Sequence, residues 1–461
     1  MADASPKKRR FAIAIAVVAL SPGALHAQER VNQDELASFY GRMNVVVGSG
    51  ARAFGMGGAF LARADDATAA SWNPAGLSYL RRTEVSLVGV QNDFSQTVTS
   101  ENGNLLRDRL QGSVTDFVGA ALPWRLKGRA GAAQMSYQRS FSFTGKRRSE
   151  GPVPIPGFGP NGAGVLPTEF SVDGSGGFDT LSLSSGVELS PRTRVGLSIN
   201  RWVQGFSQTV TRPSVQNPQN GFREIESQWD ISGTNFNFGV LLTPTERLNL
   251  GAVLKTPFTA EVDLSKARTD PDPKPDNPNN RTANQSSGRV SVRFPRVYGV
   301  GASYRVTNTL TFSADFTRTA WSKSTIANFF TLGPGSGNID RFPSLPFPAV
   351  EESRNGQVDS SQVRAGGEWV IRQGSSGDLL FPIRAGFFRD GQPFLSNGRS
   401  PAFTGLTAGV GVTKGGFLFD VAYIWETGSV DTGAADSVAV PREVRYNRLF
   451  ASVIVRFGER R

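Results

Sequence analysis

Apolar and polar residues alternate with a period of two along most of this chain. Val195, Leu197 and Ile199 alternate with Gly196, Ser198 and Asn200, and Phe236, Phe238, Val240 and Leu242 alternate with Asn235, Asn237, Gly239 and Leu241. Leu310, Phe312, Ala314 and Phe316 alternate with Thr311, Ser313 and Asp315, while Phe417, Phe419, Val421, Tyr423 and Trp425 share a face opposite Asp420 and Ala422. This is the period of a β-strand, whose successive side chains point to opposite faces. Each segment therefore needs apolar surroundings on one side and a polar space on the other. Read throughout, the pattern predicts fourteen strands, an even number: 83–98, 113–123, 129–143, 178–189, 194–206, 228–242, 247–258, 288–305, 309–321, 358–372, 379–390, 402–413, 416–427 and 444–457.

The connections sort by parity. Links after the even-numbered segments are short, such as Ser190-Pro191-Arg192-Thr193, Thr243-Pro244-Thr245-Glu246 and Lys414-Gly415. The others are long and rich in Gly, Pro, Asn or charge, as in 144–177, 259–287 and 322–357. Short turns at one end and long loops at the other are the pattern of an outer-membrane barrel; a soluble sandwich has no reason to sort loop length this way. Trp124, Trp202, Trp229, Trp321, Trp369 and Trp425 lie in or beside strands, mostly toward their ends, where the ring of a girdle would meet the membrane–water interface. The last segment carries Leu449, Ala451, Val453, Val455 and Phe457 on one face. Barrels of this kind usually finish on that aromatic residue, but here Gly458-Glu459-Arg460-Arg461 follows as a short tail (458–461). The expected fold class is all-β: a 14-stranded antiparallel transmembrane β-barrel over 83–457, preceded by an N-terminal plug over 28–82.

The N-terminus supplies the export that such a barrel needs. Lys7, Lys8, Arg9 and Arg10 precede an apolar run from Phe11 to Leu20, then Ser21-Pro22-Gly23 and a Leu25-His26-Ala27 cleavage site, so residues 1–27 read as a signal peptide. Beyond it no apolar run reaches the ~18 residues expected of a membrane helix. The chain of 461 residues has no Cys, and its single His26 lies in the leader. A processed chain would thus lack thiolate chemistry, disulfides, Cys/His zinc sites and His-based triads; no enzyme activity, cofactor or metal site is expected. Removing the leader's four basic residues and one acid lowers the net charge from +11 to +8. That excess suits anionic outer-membrane lipid and lipopolysaccharide, and no nucleic-acid module is recognisable.

Residues 28–82 do not alternate. They contain the run from Val47 to Ala59, with Gly48, Gly50, Gly55, Gly57 and Gly58, then Asp65-Asp66-Ala67 and Trp72-Asn73-Pro74-Ala75-Gly76-Leu77. Val45-Val46-Val47 before Gly48-Ser49-Gly50-Ala51-Arg52-Ala53 imitates a dinucleotide fingerprint, but that motif has meaning only within a βαβ unit, and no βαβ series follows. Asp65 or Asp66 is placed to cap a short helix over 67–71, the commoner role for such acids than binding a cation. Asn73-Pro74 suits a turn or a helix start with Pro at its first position. A compact, Gly-rich segment ahead of a fourteen-stranded barrel fits a plug in a bore that would otherwise fill with water.

These motifs resemble the FadL/TodX-type outer-membrane transporters of long-chain fatty acids and aromatic hydrocarbons. The resemblance rests on Gly50-Ala51-Arg52-Ala53, Gly55-Met56-Gly57-Gly58, Asp65-Asp66-Ala67 and Asn73-Pro74-Ala75-Gly76. It continues through Asn237-Phe238-Gly239-Val240-Leu241, Pro244, Arg247-Leu248, Leu250-Gly251, Lys255-Thr256-Pro257, Phe294-Pro295, Trp321-Ser322-Lys323 and Pro382-Ile383-Arg384-Ala385-Gly386. It implies a barrel closed by an N-terminal hatch with an Asn-Pro-Ala motif, matched by Asn73, Pro74 and Ala75. It also implies passive uptake of hydrophobic molecules, with hatch rearrangement and a side exit at a kinked strand, for which Gly131 is the candidate.

Taking the Phe- and Leu-bearing faces as lipid-facing places Lys255, Asp315, Arg364, Glu368, Arg384 and Asp420 inside. They read as paired charges holding the hatch or, for Lys255, Arg364 or Arg384, as a receptor for a substrate carboxylate. Phe141, Phe143, Ile155, Phe158, Phe329, Phe330 and Phe347, in the long loops, are candidates for a greasy docking groove. The expected partners are a hydrophobic small molecule (fatty acid, aromatic or alkane), outer-membrane lipid and, during biogenesis, the barrel assembly machinery. The alternatives are a shuttle or binding component of a secretion system and a general diffusion porin.

Overall fold

The computed structural model describes residues 48–99, 105–156, 163–213, 222–270, 282–325, 358–373, 379–393, 395, 399–432 and 440–458. Residues 1–47, Phe158, Phe329, Phe330 and Phe347 lie outside them. The described chain forms a closed antiparallel barrel of fourteen strands. They are β1 (Thr83–Thr99), β2 (Leu105–Leu126), β3 (Arg129–Ser142 continued by Gly145–Pro156), β4 (Ala163–Ser190), β5 (Thr193–Val203 continued by Gly205–Pro213), β6 (Phe222–Thr245) and β7 (Leu248–Lys255 continued by Phe258–Asp270). There follow β8 (Thr282–Phe294 continued by Val297–Arg305), β9 (Leu310–Thr319), β10 (Ser360–Gln373), β11 (Leu379–Gly391), β12 (Ala402–Lys414), β13 (Phe417–Thr432) and β14 (Val440–Phe457). The ring closes where β14 pairs with β1, from Thr83↔Phe457 to Val98↔Arg442. A band of apolar side chains faces outward around it, including Leu122, Met135, Leu183, Val300, Phe312, Val363, Val410 and Tyr423. In water such a surface would be a liability; against lipid tails it is what a transmembrane barrel requires.

Every expected strand matches one observed strand, but several run much further at the end opposite the short turns. The expected loops 144–177 and 259–287 are largely ladder: Gly145↔Gly174 leads on to Pro156↔Ala163, and Phe258↔Phe294 leads on to Asp270↔Thr282. In stretches such as Lys146-Arg147-Arg148-Ser149-Glu150, polar residues occupy both parities, so pairing continues without the alternation that reveals it. Ile155 thus lies in β3 rather than in a loop.

Four strands break once, each at or beside a residue of unusual backbone. Pro257 and Pro295 have no N–H to donate, Gln204 adopts a left-handed φ of 64°, and Gly145 a φ of 150°. Across the breaks in β7 and β8 the buried face changes parity, from Gly251 and Val253 to Ala260 and Val262, and from Val292 and Phe294 to Val297 and Gly299. A register shift at Arg139/Phe141 does the same in β3. A one-residue slip sends every later side chain to the other face.

Residues 48–82 lie within the bore. Helix Ala51–Gly55 packs on β11–β14, and the 3-10 helix Pro74–Tyr79 on β3–β6, so the segment reaches across the ring. It sits against inward-facing glycines that pair with one another between strands: Gly186↔Gly196, Gly196↔Gly239, Gly251↔Gly301 and Gly366↔Gly386. A Cβ at Gly196 would overlap the Pro74 backbone, at Gly239 the Asn73 side chain, at Gly251 the Leu61 carbonyl and at Gly386 the Gly57 nitrogen. These positions let the backbone of the inner segment rest directly on the backbone of the wall. Gly196→Val is therefore expected to cost about 1–3 kcal/mol by overpacking, measured by urea unfolding in detergent. Gly288→Val, where a Cβ meets nothing within 4 Å, should be neutral or slightly stabilising.

Candidate functional site

The inner segment is built from short local devices. Asn73 caps the 3-10 helix, its Oδ1 accepting from the Ala75 N–H at 3.1 Å, with Pro74 at the first helical position. Its Nδ2 donates to the carbonyls of Leu61 (3.0 Å) and Val240 (3.1 Å), joining cap, plug and wall. The acids before helix Ala69–Trp72 do not cap it as expected. Thr68 occupies the N-cap, while Asp66 Oδ1 accepts from the Thr68 N–H and hydroxyl at 2.9 and 2.6 Å in a preceding turn. The other oxygen of Asp66 and Asp65 Oδ1 accept from Arg52 at 3.1 and 2.5 Å. Gly57 and Gly58, at φ 68° and 76°, turn the chain after the five-residue helix Ala51–Gly55. Among the described residues that helix belongs to no βαβ unit. Among the described residues no cluster of metal-ligating side chains occurs.

All six charged candidates turn toward the bore. Glu368 receives three guanidinium groups: Arg52 Nε at 3.3 Å, Arg384 Nε at 2.7 Å and Arg63 Nη2. Arg384 reaches on to Asp420 at 2.6 Å. Asp315 Oδ2 accepts the backbone N–H groups of Phe60 (2.6 Å) and Leu61 (2.8 Å). Lys255 Nζ donates to the Ser71 carbonyl at 3.4 Å, and Arg364 faces Asp390 at 3.7 Å. Glu368, Arg384, Asp420, Asp315 and Lys255 thus act on the inner segment or on residues joined to it. Sequence reading missed further ties. Thr407 Oγ1 accepts from the Gly57 N–H at 2.9 Å and donates to the Gly55 carbonyl at 3.0 Å, and Gln134 donates to the Ala67 carbonyl at 2.5 Å. Their inward parity was the available signal.

Toward the end with the long strand extensions, the bore is lined by aromatic residues. Phe258 and Phe294 stack at 4.6 Å, Trp202 lies 5.0 Å from each, Phe143 stacks on Phe206 at 4.0 Å, and Phe206 on Trp229 at 5.7 Å. These rings flank the strand breaks, and the parity changes at Pro257 and Pro295 turn Phe258 and Phe294 inward. Phe141 and Phe143, expected in an outer loop, belong to this buried cluster because of the register shift in β3. The expected tryptophan girdle is corrected likewise. Trp369 and Trp425 face outward, whereas Trp202, Trp229 and Trp321 are buried inside.

The wall is irregular beside this aromatic cluster, and Gly131 is not the place: it pairs regularly with Trp124 and Val187. The β2–β3 ladder stops at Phe117↔Gln138 and resumes at Gln111↔Lys146. Asp116 is the extra residue of the β2 bulge against β1, and the Ser49 hydroxyl donates to its carboxylate. On β3 and β4, Arg139 holds Asp179 at 2.9 Å.

Glu368→Gln removes the one carboxylate shared by three buried cations. It should cost about 3–5 kcal/mol and expose residues 48–82 to trypsin, measured by unfolding and limited proteolysis. Arg109→Gln breaks an exposed pair with Asp93 and should leave both readouts essentially unchanged.

The chain is similar in structure to a Pseudomonas aeruginosa FadL homologue, at 13% identity and TM-score 0.57 over 89% of this chain and 99% of that one. It is similar to the Ralstonia pickettii toluene transporter TbuX, at 14% identity and TM-score 0.56 over 90% and 100% of the two chains. It is also similar to the P. putida toluene transporter TodX, at 12% identity and TM-score 0.55 over 90% and 100%. No curated protein sequence matches it. The family model BamG matches residues 9–334. With a barrel fold of the FadL/TodX type, the chain belongs to the BamG family.

Proposed function

We propose that this protein is an outer-membrane channel for passive movement of hydrophobic molecules, long-chain fatty acids or related lipids and hydrocarbons, with the inner segment acting as its hatch. The observation that carries this reading is the stacked aromatic lining of the outer half of the bore, set directly above a plug tied by polar contacts. A water-filled porin has no use for a desolvated aromatic cluster; a hydrophobic molecule leaving lipid can be received by such rings. The fold likeness to toluene transporters and a FadL homologue supports the same reading. On this view residues 1–27 direct export and the short turns face the periplasm. The irregular β2–β3 seam is the side exit, opened when the hatch shifts away from Ser49 and Asp116. Arg384 is best read as a holding residue, since both of its carboxylate partners are buried with it. Substrate selection then falls to ring stacking more than to a cation for a head group.

Mass spectrometry of solvent extracts from mildly purified protein should recover apolar ligands. Tryptophan fluorescence should report saturable binding of oleate or naphthalene. Phe258→Ala with Phe294→Ala removes a stacked pair of about 1 kcal/mol or more and should weaken that binding about tenfold. Steady large conductance in planar bilayers, or co-purification of a large periplasmic complex without any bound apolar ligand, would overturn the assignment.

A further inference from the structure

A polar cavity lies at the opposite end of the bore, among the short turns, and its chemistry is unlike that of the aromatic cluster. It has a volume of about 290 Å³ and is lined by four arginines, Arg63, Arg194, Arg247 and Arg305, with Asp65 and Glu246 as its only carboxylates among the described residues. Asp65 is already taken by Arg52 at 2.5 Å. Arg305 Nη2 donates to the backbone carbonyl of Glu246 at 2.6 Å, not to a carboxylate. Arg194 is held in place by Glu188 at 3.1 Å and by stacking 4.2 Å over the Tyr79 ring. Among the described residues, Nη1 of Arg63 and Nε of Arg194 are buried donors without an acceptor.

We propose that this cavity is a binding site for an oxyanion, a phosphate group in particular. The guanidinium is a planar fork of donors matched to the oxygens of phosphate or carboxylate, and it is less strongly hydrated than an ammonium group. Four guanidinium groups come from the inner segment, β5, the β6–β7 turn and β8; Arg63 shares Glu368 with two other arginines and Arg194 shares Glu188 with Arg81, so the lining keeps an excess of positive charge that an anion relieves. Thr243, Asn249, Ser303 and Thr311 add neutral polar groups to the same lining. Arg63 also binds Glu368, so an anion here touches the network that holds the inner segment. The inference stands apart from the hydrophobic-substrate reading: it concerns the other end of the bore and survives if that reading fails.

The test titrates the purified full-length protein in detergent with inorganic phosphate against chloride at equal ionic strength, followed by calorimetry and thermal unfolding. Saturable binding with a raised Tm is expected for phosphate only. Arg194→Gln combined with Arg247→Gln should weaken it at least tenfold. Because Arg194 also packs on Tyr79, Arg247→Gln and Arg305→Gln are tested separately, and each should weaken binding several-fold while leaving oleate binding unchanged. Phosphate binding that does not saturate, that chloride reproduces, or that all these variants retain at wild-type affinity would overturn the proposal. Reconstitution into nanodiscs distinguishes the source of the anion. Competition with phosphate by phosphatidylglycerol but not phosphatidylcholine identifies a lipid headgroup, and equal phosphate binding in both identifies a free oxyanion.

Discussion

Closing fourteen strands into a ring creates a bore too wide for wall side chains to fill, and the rest of the structure follows from how that space is occupied. Here the chain fills it with its own backbone. The contact is possible because the wall carries glycine on its inward face where the inner segment touches, and these glycines pair laterally across neighbouring strands. The result is a plug seated at backbone-to-backbone distance on both sides of the ring. Glycine costs strand stability, so a row of them on one face is informative: it marks the surface that something else must cover.

The strand breaks impose the second level of organisation. Pro257, Pro295, Gln204 and Gly145 interrupt four strands beside the rings of Phe258, Phe294, Trp202, Phe206 and Phe143. Below this level the wall is regular and faces the inner segment; above it the wall is re-aimed and faces a cluster of rings. In three strands the change of parity is what carries aromatic residues inward. Backbone defects, which would be liabilities in a uniform barrel, therefore create the boundary between a polar floor and an apolar cluster.

Much of this was legible in sequence. Alternation located all fourteen strands, loop parity gave their order, and the inward set of charges followed from the faces carrying Phe and Leu. The errors have physical causes. Gly145–Pro156 reads as loop because its polar residues occupy both parities, whereas Phe258, Ala260, Val262 and Leu264 alternate but on the opposite parity to the strand before Pro257, so the continuation past the proline was missed. The register shift in β3 reversed Phe141 and Phe143, and nothing in a single sequence announces a bulge. Trp202 and Trp229 were different: they share parity with Asn200 and Asn237, so the period already placed them inside, and their position near strand ends was the weaker signal. The inward glycines were equally available, as Gly196 and Gly239 had been assigned to the polar faces of their strands.

The electrostatic arrangement explains how a buried plug can hold one specific seat. Apolar packing of comparable extent would hold the inner segment at least as tightly, because buried ion pairs repay little more than the desolvation they cost. What Glu368 adds is position: one carboxylate must meet Arg52, Arg63 and Arg384 together, and a shifted register would strand two or three charges without a partner. Asp315 imposes the same demand through two backbone N–H groups, and Asn73 through carbonyls of the plug and the wall. Each of these groups has an alternative partner in water. A plug fixed by them has one well-defined seat, yet admitting water to the bore compensates much of what is lost on leaving it. An apolar plug has no such compensation. The wall therefore spends its glycines on close approach and its charges on register, and keeps its aromatic residues for the cluster above.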